Sequence, residues 1–280
     1  MKNKIACLAL SLLAYPTVAD DFNHRFSVGL DIMRYHYLEQ TKDNPHFMSL
    51  MSNQFGINGS YTFTYKERLF LQPEAKVNYG FALHSSKYNQ KYQVAAEPTL
   101  LAEIRLLGGM NAPLGNRLTL SPYTGIGFRF RSEDGTNIQD EGRNNRDLAK
   151  RVNHSWYIPL GLKTTYTFDN RWFVSGRGEY DFYLWGKHYH YSPNIAPSPI
   201  LLKQKKGWGA KAEFLIGKQF EKVAMAVGPY FNSWKVDQSA RAYFEDSRRA
   251  DRGYITRWQN ASTEPKNITK ETGLRLTFTF

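Results

Sequence analysis

From residue 24 onward the chain alternates apolar and polar residues in segment after segment. A period of two puts successive side chains on opposite faces of an extended strand. Ten such segments are predicted, at about 24–38, 53–65, 69–84, 98–110, 117–131, 155–168, 171–187, 207–219, 222–234 and 268–280. The third sets Leu69, Leu71, Ala75, Val77, Tyr79 and Phe81 against Gln72, Glu74, Lys76 and Asn78. The seventh sets Trp172, Val174, Tyr180, Phe182 and Leu184 against Ser175, Arg177, Glu179, Asp181 and Tyr183. The connections alternate too. Tight turns at 65–68, 112–116, 169–170 and 221–222 are interleaved with long polar stretches at 39–52, 85–97, 132–154, 188–206 and 235–267.

Nearly every segment carries its own apolar face. Folded as a two-layer sandwich, those faces would overfill a single core. A closed barrel, apolar outside and polar within, accommodates all of them. Short turns at one end and long loops at the other are the transmembrane form of that arrangement. The expected fold is therefore all-β: a transmembrane antiparallel up-and-down β-barrel of about ten strands. Pro73, Pro122, Pro159 and Pro229 fall inside predicted strands, where a residue without an N–H leads us to expect bulges.

Composition agrees with the pattern. Mean hydropathy is −0.55, and no long apolar run follows residue 19, which excludes a bundle of membrane helices. Yet the chain holds 18 Tyr, 18 Phe and 6 Trp, as interfacial aromatic girdles require. At the start, Lys2 and Lys4 precede the short apolar run Ile5 to Tyr15, and Thr17-Val18-Ala19 offers small residues for cleavage. Residues 1–19 read as a secretory signal peptide and 20–280 as the barrel domain. The one cysteine, Cys7, lies in the leader, so no disulfide, thiol chemistry or cysteine metal site is expected in the mature chain. No metal-ligand cluster, phosphate loop or cofactor motif is evident.

The last eight residues, GLRLTFTF, place Leu274, Leu276, Phe278 and Phe280 on one face, and the chain ends on an aromatic ring. This segment resembles the C-terminal strand of Gram-negative outer-membrane β-barrel proteins. The resemblance implies an integral outer-membrane location and recognition of Phe280 by the barrel-assembly machinery. It also gives the formal charge of +12 a context. A secreted barrel does not meet nucleic acid; its partners are outer-membrane lipid, lipopolysaccharide phosphates and acidic surface ligands.

Strand parity sends an almost balanced set of charges inward: Asp31, Glu74, Glu103, Glu179, Asp181, Glu213 and Glu271 with Lys76, Arg105, Arg129, Arg131, Lys163, Arg177, Lys211 and Arg275. Buried charges must be paired. This set either cross-links and fills the lumen or lines a narrow, porin-like path for small solutes. The porin-like channel is the leading functional expectation. A surface-binding, adhesin-like barrel is the alternative, using Lys203, Lys205 and Lys206 in loop 188–206 and Arg248 and Arg249 in loop 235–267.

Ten strands with long outer loops also resemble the omptin architecture of surface proteases. That family uses two acid and histidine pairs at the extracellular rim. Asp181, Lys187, His188 and His190 echo one pair, whereas the loop 84–91 brings no carboxylate for the other. In the same loop His84 and Ser86 share a strand face, and Glu97 opens the next strand. This Ser-His-acid set is similar to that of outer-membrane lipid A deacylases and implies lipid-acyl hydrolysis as a further alternative. Lys87 stands where the deacylase pattern has Asn, and parity turns His84 toward the lumen rather than the lipid.

Overall fold

The computed structural model describes residues 21–86, 89–136, 139–140, 146–147, 149–192, 196, 198–245 and 259–280. The expected leader lies outside them. Ten long strands are β1 (Phe22–Gln40), β2 (Met48–Tyr65), β3 (Leu69–Ser86), β4 (Asn89–Met110), β5 (Leu118–Asp134), β6 (Lys150–Thr167), β7 (Trp172–Tyr191), β8 (Gly207–Gln219), β9 (Ala224–Val236) and β10 (Lys266–Thr279). Each pairs antiparallel with its neighbours in sequence, and β10 returns to β1 with Ser27 opposite Thr279. The sheet is a closed up-and-down barrel, so every backbone ladder finds a partner without an open edge. The tight turns depend on left-handed backbone at Lys66 (φ 48°), Glu67 (φ 56°), Arg171 (φ 65°) and Gly115 (φ 71°).

The outer wall carries a belt of exposed apolar side chains. Leu30, Ile32, Phe55, Ile57, Ile104, Leu160 and Leu274 all belong to it. Rings border it at both ends. Phe22 lies 5.1 Å from Tyr65 at the turn end. Trp156 lies 5.0 Å from Phe128 and 6.1 Å from Trp185 at the loop end.

Beyond the upper rings the outward face turns polar. Arg34 and Asn53 are opposite one another on β1 and β2, and His36 is opposite Lys270 on β10. The strands nevertheless continue, forming a collar above the belt. This is the main departure from the sequence reading: β2 starts at 48 rather than 53, and β4 at 89 rather than 98. Here the outward face turns polar while the inward face buries Tyr35, Tyr37, Met48 and Leu50, so the apolar-out, polar-in alternation seen lower down is lost while the ladder persists. A short strand, Ile200–Gln204, extends the collar beside β7, and a hairpin of Ala242–Glu245 with Gln259–Ser262 stands above it.

The strand prolines need no bulge. Ladder rows are missing in register beside Pro73, where β2–β3 pairing passes from Ser60–Glu74 to Phe63–Leu71. The same happens beside Pro159, between Thr124–Leu160 and Gly127–Tyr157, and beside Pro229, between Glu213–Tyr230 and Ile216–Val227. Pro122 sits where β4 pairing with β5 ends at Gly109–Tyr123. A residue without an N–H is tolerated where a row is already open. The true irregularities lie higher, at Tyr183/Trp185 in β7 and around His84 in the β3–β4 ladder.

Candidate functional site

The lumen-facing charges converge at mid-height. Glu179 on β7 is the hub. It takes Arg105 Nη1 at 2.7 and 2.9 Å on its two oxygens, the Tyr123 hydroxyl at 2.6 Å, Lys211 at 3.1 Å and Arg177 at 3.3 Å. Glu74 on β3 accepts from Arg105 and from Arg177 at 3.1 Å. Glu103 on β4 accepts from Lys211 at 2.8 Å and from the Tyr157 hydroxyl at 2.6 Å. Asp181 lies 3.4 Å from Lys211. Two further groups complete the layer. Glu271 holds Lys76 at 2.9 Å, Arg129 at 2.6 Å and Asn232 at 2.8 Å. Arg275 spans Asp31, at 2.8 and 3.0 Å, and Glu213, at 2.5 Å.

Rings fill the space between these ions. Arg129 and Lys211 lie over Trp234, and Arg275 lies over Tyr230. Tyr157 meets Trp234 edge-on at 4.9 Å. Glycine makes room for two of the rings. A Cβ at Gly127 would collide with Tyr157, and one at Gly161 with Tyr123. Glu179 and Asp181 have no exposed side-chain surface, and Arg105 retains 10%. Such charge-assisted contacts among rigid rings cross-link the barrel walls at mid-height.

A second polar layer sits in the collar. Arg151 on β6 contacts Glu39 at 3.3 Å, Glu133 at 3.3 Å and Glu97 at 3.4 Å. Arg131 contacts Glu133 at 3.2 Å and lies over the Tyr37 ring. The Tyr37 hydroxyl lies within hydrogen-bond distance of Glu39, at 3.1 Å, and of Glu264, at 2.9 Å. Glu264 lies beyond the strands and is strapped to Ser239 by two bonds: its N–H donates to Ser239 Oγ at 2.8 Å, and its carbonyl accepts from the Ser239 N–H at 3.0 Å. His188 Nε2 is 3.3 Å from its carboxyl group.

Acids outnumber arginines in this layer. Burial, and next the Glu39 carboxylate, push the Glu264 pKa up to about 8 against the pull of Arg131 and Arg151. The folded chain thus holds a proton that an unfolded one releases near the ordinary value of 4.5. A proton bound only in the folded state makes stability fall as pH rises from about 4.5 to about 8, with no further change above. Urea-unfolding midpoints taken across that range should decline for the native chain. The decline should be smaller for Glu264→Gln, which stays neutral throughout.

Of the charges expected inward, all but two join the mid-height layer. Arg131 belongs to the collar layer. Lys163 lies on the lumen wall but makes no ion pair among the described residues. His84 faces the lumen, its Nδ1 3.1 Å from Glu97, while Arg151 engages the other carboxyl oxygen. The Ser86 side chain, Arg248 and Arg249 lie outside the described residues. Lys203, Lys205 and Lys206 are exposed on the collar. Sequence reasoning missed Glu39, Glu133, Arg151 and Glu264. The first two continue the inward parity of Asp31 and Arg131, so extending the alternation into the loops would have found them. His188, one of the residues that echo the omptin pair, is fully buried. The bulge at Tyr183/Trp185 turns Leu184 and Trp185 both outward and brings His188 inward.

A family model for the outer membrane protein beta-barrel domain matches residues 5–194. The chain belongs to this family. Among solved structures it is similar to the outer membrane protease OmpT from Escherichia coli, at 13% identity and a TM-score of 0.55, covering 95% of this chain and 99% of that one. Two further outer-membrane barrels resemble it at 9% identity. The translocator domain of the autotransporter NalP from Neisseria meningitidis has a TM-score of 0.42, with 97% and 92% of the two chains covered. The toluene transporter TodX from Pseudomonas putida has a TM-score of 0.34, with 96% and 92% covered. No curated protein matches. As an outer-membrane barrel, the chain sets its apolar belt in lipid, its tight turns toward the periplasm and its collar outside.

Proposed function

We propose that this outer-membrane barrel is closed at rest and works through its extracellular collar, as a binding surface for anionic groups. The observation that carries the reading is the Glu179 hub, whose four donors, one each from β4, β5, β7 and β8, tie the walls together across the lumen. A conducting state would have to break several buried charge-assisted bonds at once. The collar, by contrast, presents lysines that form no ion pair among the described residues. Lys187 and Lys203 stand opposite one another on paired strands. Together with Lys205 and Lys206 they form a row just above lipid that suits lipopolysaccharide phosphates and acidic glycans.

Neutralising Lys203, Lys205 and Lys206 together to Gln should weaken retention on immobilised lipopolysaccharide about ten-fold or more and remove much of its salt dependence. Unchanged retention would refute the collar as the binding surface. The porin-like channel remains the second reading, supported by a water-accessible cavity that enters the lumen from the periplasmic end. The terminal strand supports assembly through the usual machinery. Phe280 is 59% exposed while its backbone pairs with Phe26.

A further inference from the structure

Below the seal the barrel is hollow. A cavity of about 480 Å³ opens toward the turn end and is roofed by Glu74, Arg105 and Arg177. Its volume falls within the range of small-molecule sites, roughly 300–1,000 Å³. Three cations on its wall, Arg25, Lys163 and Arg171, form no ion pair among the described residues. The carboxylates on the same wall are all engaged: Glu74 by Arg105 and Arg177, Glu103 by Lys211, and Glu213 by Arg275.

Lys163 is the telling residue. It lies directly opposite Arg177 in the β6–β7 ladder and opposite Ser121 in the β5–β6 ladder. Like charges placed opposite one another on paired strands repel. Arg177 is neutralised by Glu74 and Glu179, but among the described residues no carboxylate forms an ion pair with Lys163. Its charged neighbours are Arg177 and Arg25 on one side of the balance, and Glu213 and Glu74, both already bonded, on the other. The lower wall is otherwise neutral and rich in donors, with Ser27, Thr62, Thr165 and Thr279 all facing the cavity.

We propose that this blind periplasmic vestibule is a binding site for a small oxyanion dianion, of the phosphate or dicarboxylate kind, held by Lys163 and Arg25 with Arg171 at the mouth. A single dianion would neutralise the two inner cations and accept from the hydroxyl groups around them. The site faces the periplasm and is separated from the collar by the seal, so it is independent of the surface-binding reading.

The test is calorimetric titration of the folded full-length barrel with inorganic phosphate, with succinate and with acetate as the monovalent control. Saturable binding of phosphate or succinate, tighter than acetate, is expected, and whichever of the two binds more tightly identifies the headgroup chemistry. Lys163→Gln and Arg25→Gln should each weaken binding about ten-fold or more. Neither residue forms an ion pair among the described residues, so both variants should fold, as heat-modifiable gel mobility will report. The Lys203/Lys205/Lys206 variant should bind the dianion normally. No saturable binding, equal binding of acetate, or undiminished binding by either vestibule variant would overturn the proposal.

Discussion

Replacing Glu179 with alanine is expected to turn a silent barrel into an anion-preferring leak. Glu179 is the shared acceptor for Arg105, Arg177, Lys211 and the Tyr123 hydroxyl. Without it, Glu74 is the one carboxylate that still bonds the two arginines among the described residues, and Lys211 keeps Glu103 and Asp181. The constriction then gains one net positive charge, and the vestibule below it is already basic. Removing one partner from a buried ionic group costs about 3–5 kcal/mol, which unfolding in urea would register as a lowered midpoint. Planar-bilayer recordings of the variant should show steps with reversal potentials favouring chloride over potassium. A variant that folds, loses stability and stays silent would mean that the rings, rather than the ions, close the lumen.

The second large effect is expected in the collar. Arg151→Met leaves Glu39, Glu97 and Glu133 without the cation they share, and the side chains of all three are nearly or completely buried. The loss should again be about 3–5 kcal/mol, but confined to the upper barrel. Limited proteolysis should therefore open the extracellular connections in this variant while the belt remains protected. Arg151→Lys should recover only part of the loss, because a single ammonium replaces a planar fork that reaches three carboxylates. Equal proteolytic resistance in the native chain and Arg151→Met would remove the collar layer from the account of stability.

The barrel was legible because lipid and lumen demand opposite chemistry of neighbouring residues. Leu69 to Phe81 and Trp172 to Leu184 show that contrast in plain alternation, and the structure keeps both faces as read. The inward charges were legible for the same reason. Their individual partners were not, because Glu179 with Arg105 and Glu271 with Arg129 are separated by 74 and 142 residues and meet only through barrel closure. Above the belt the contrast disappears. Tyr35, Tyr37 and Glu39 continue the inward face of β1, but polar neighbours such as Arg34 and His36 hide the period. His188 was hidden by one extra residue at a bulge, and Glu264 by its place in an irregular segment with no period at all. The empty place beside Lys163 needed the structure, since only the full census of wall carboxylates shows that, among the described residues, none is left to pair with it.

Single-channel recording of the refolded native chain in a planar bilayer reads out whether paired charges close the lumen at mid-height. A flat current at moderate voltage is expected. Steady, reproducible steps from the native chain, with the Glu179 network intact, would contradict that closure.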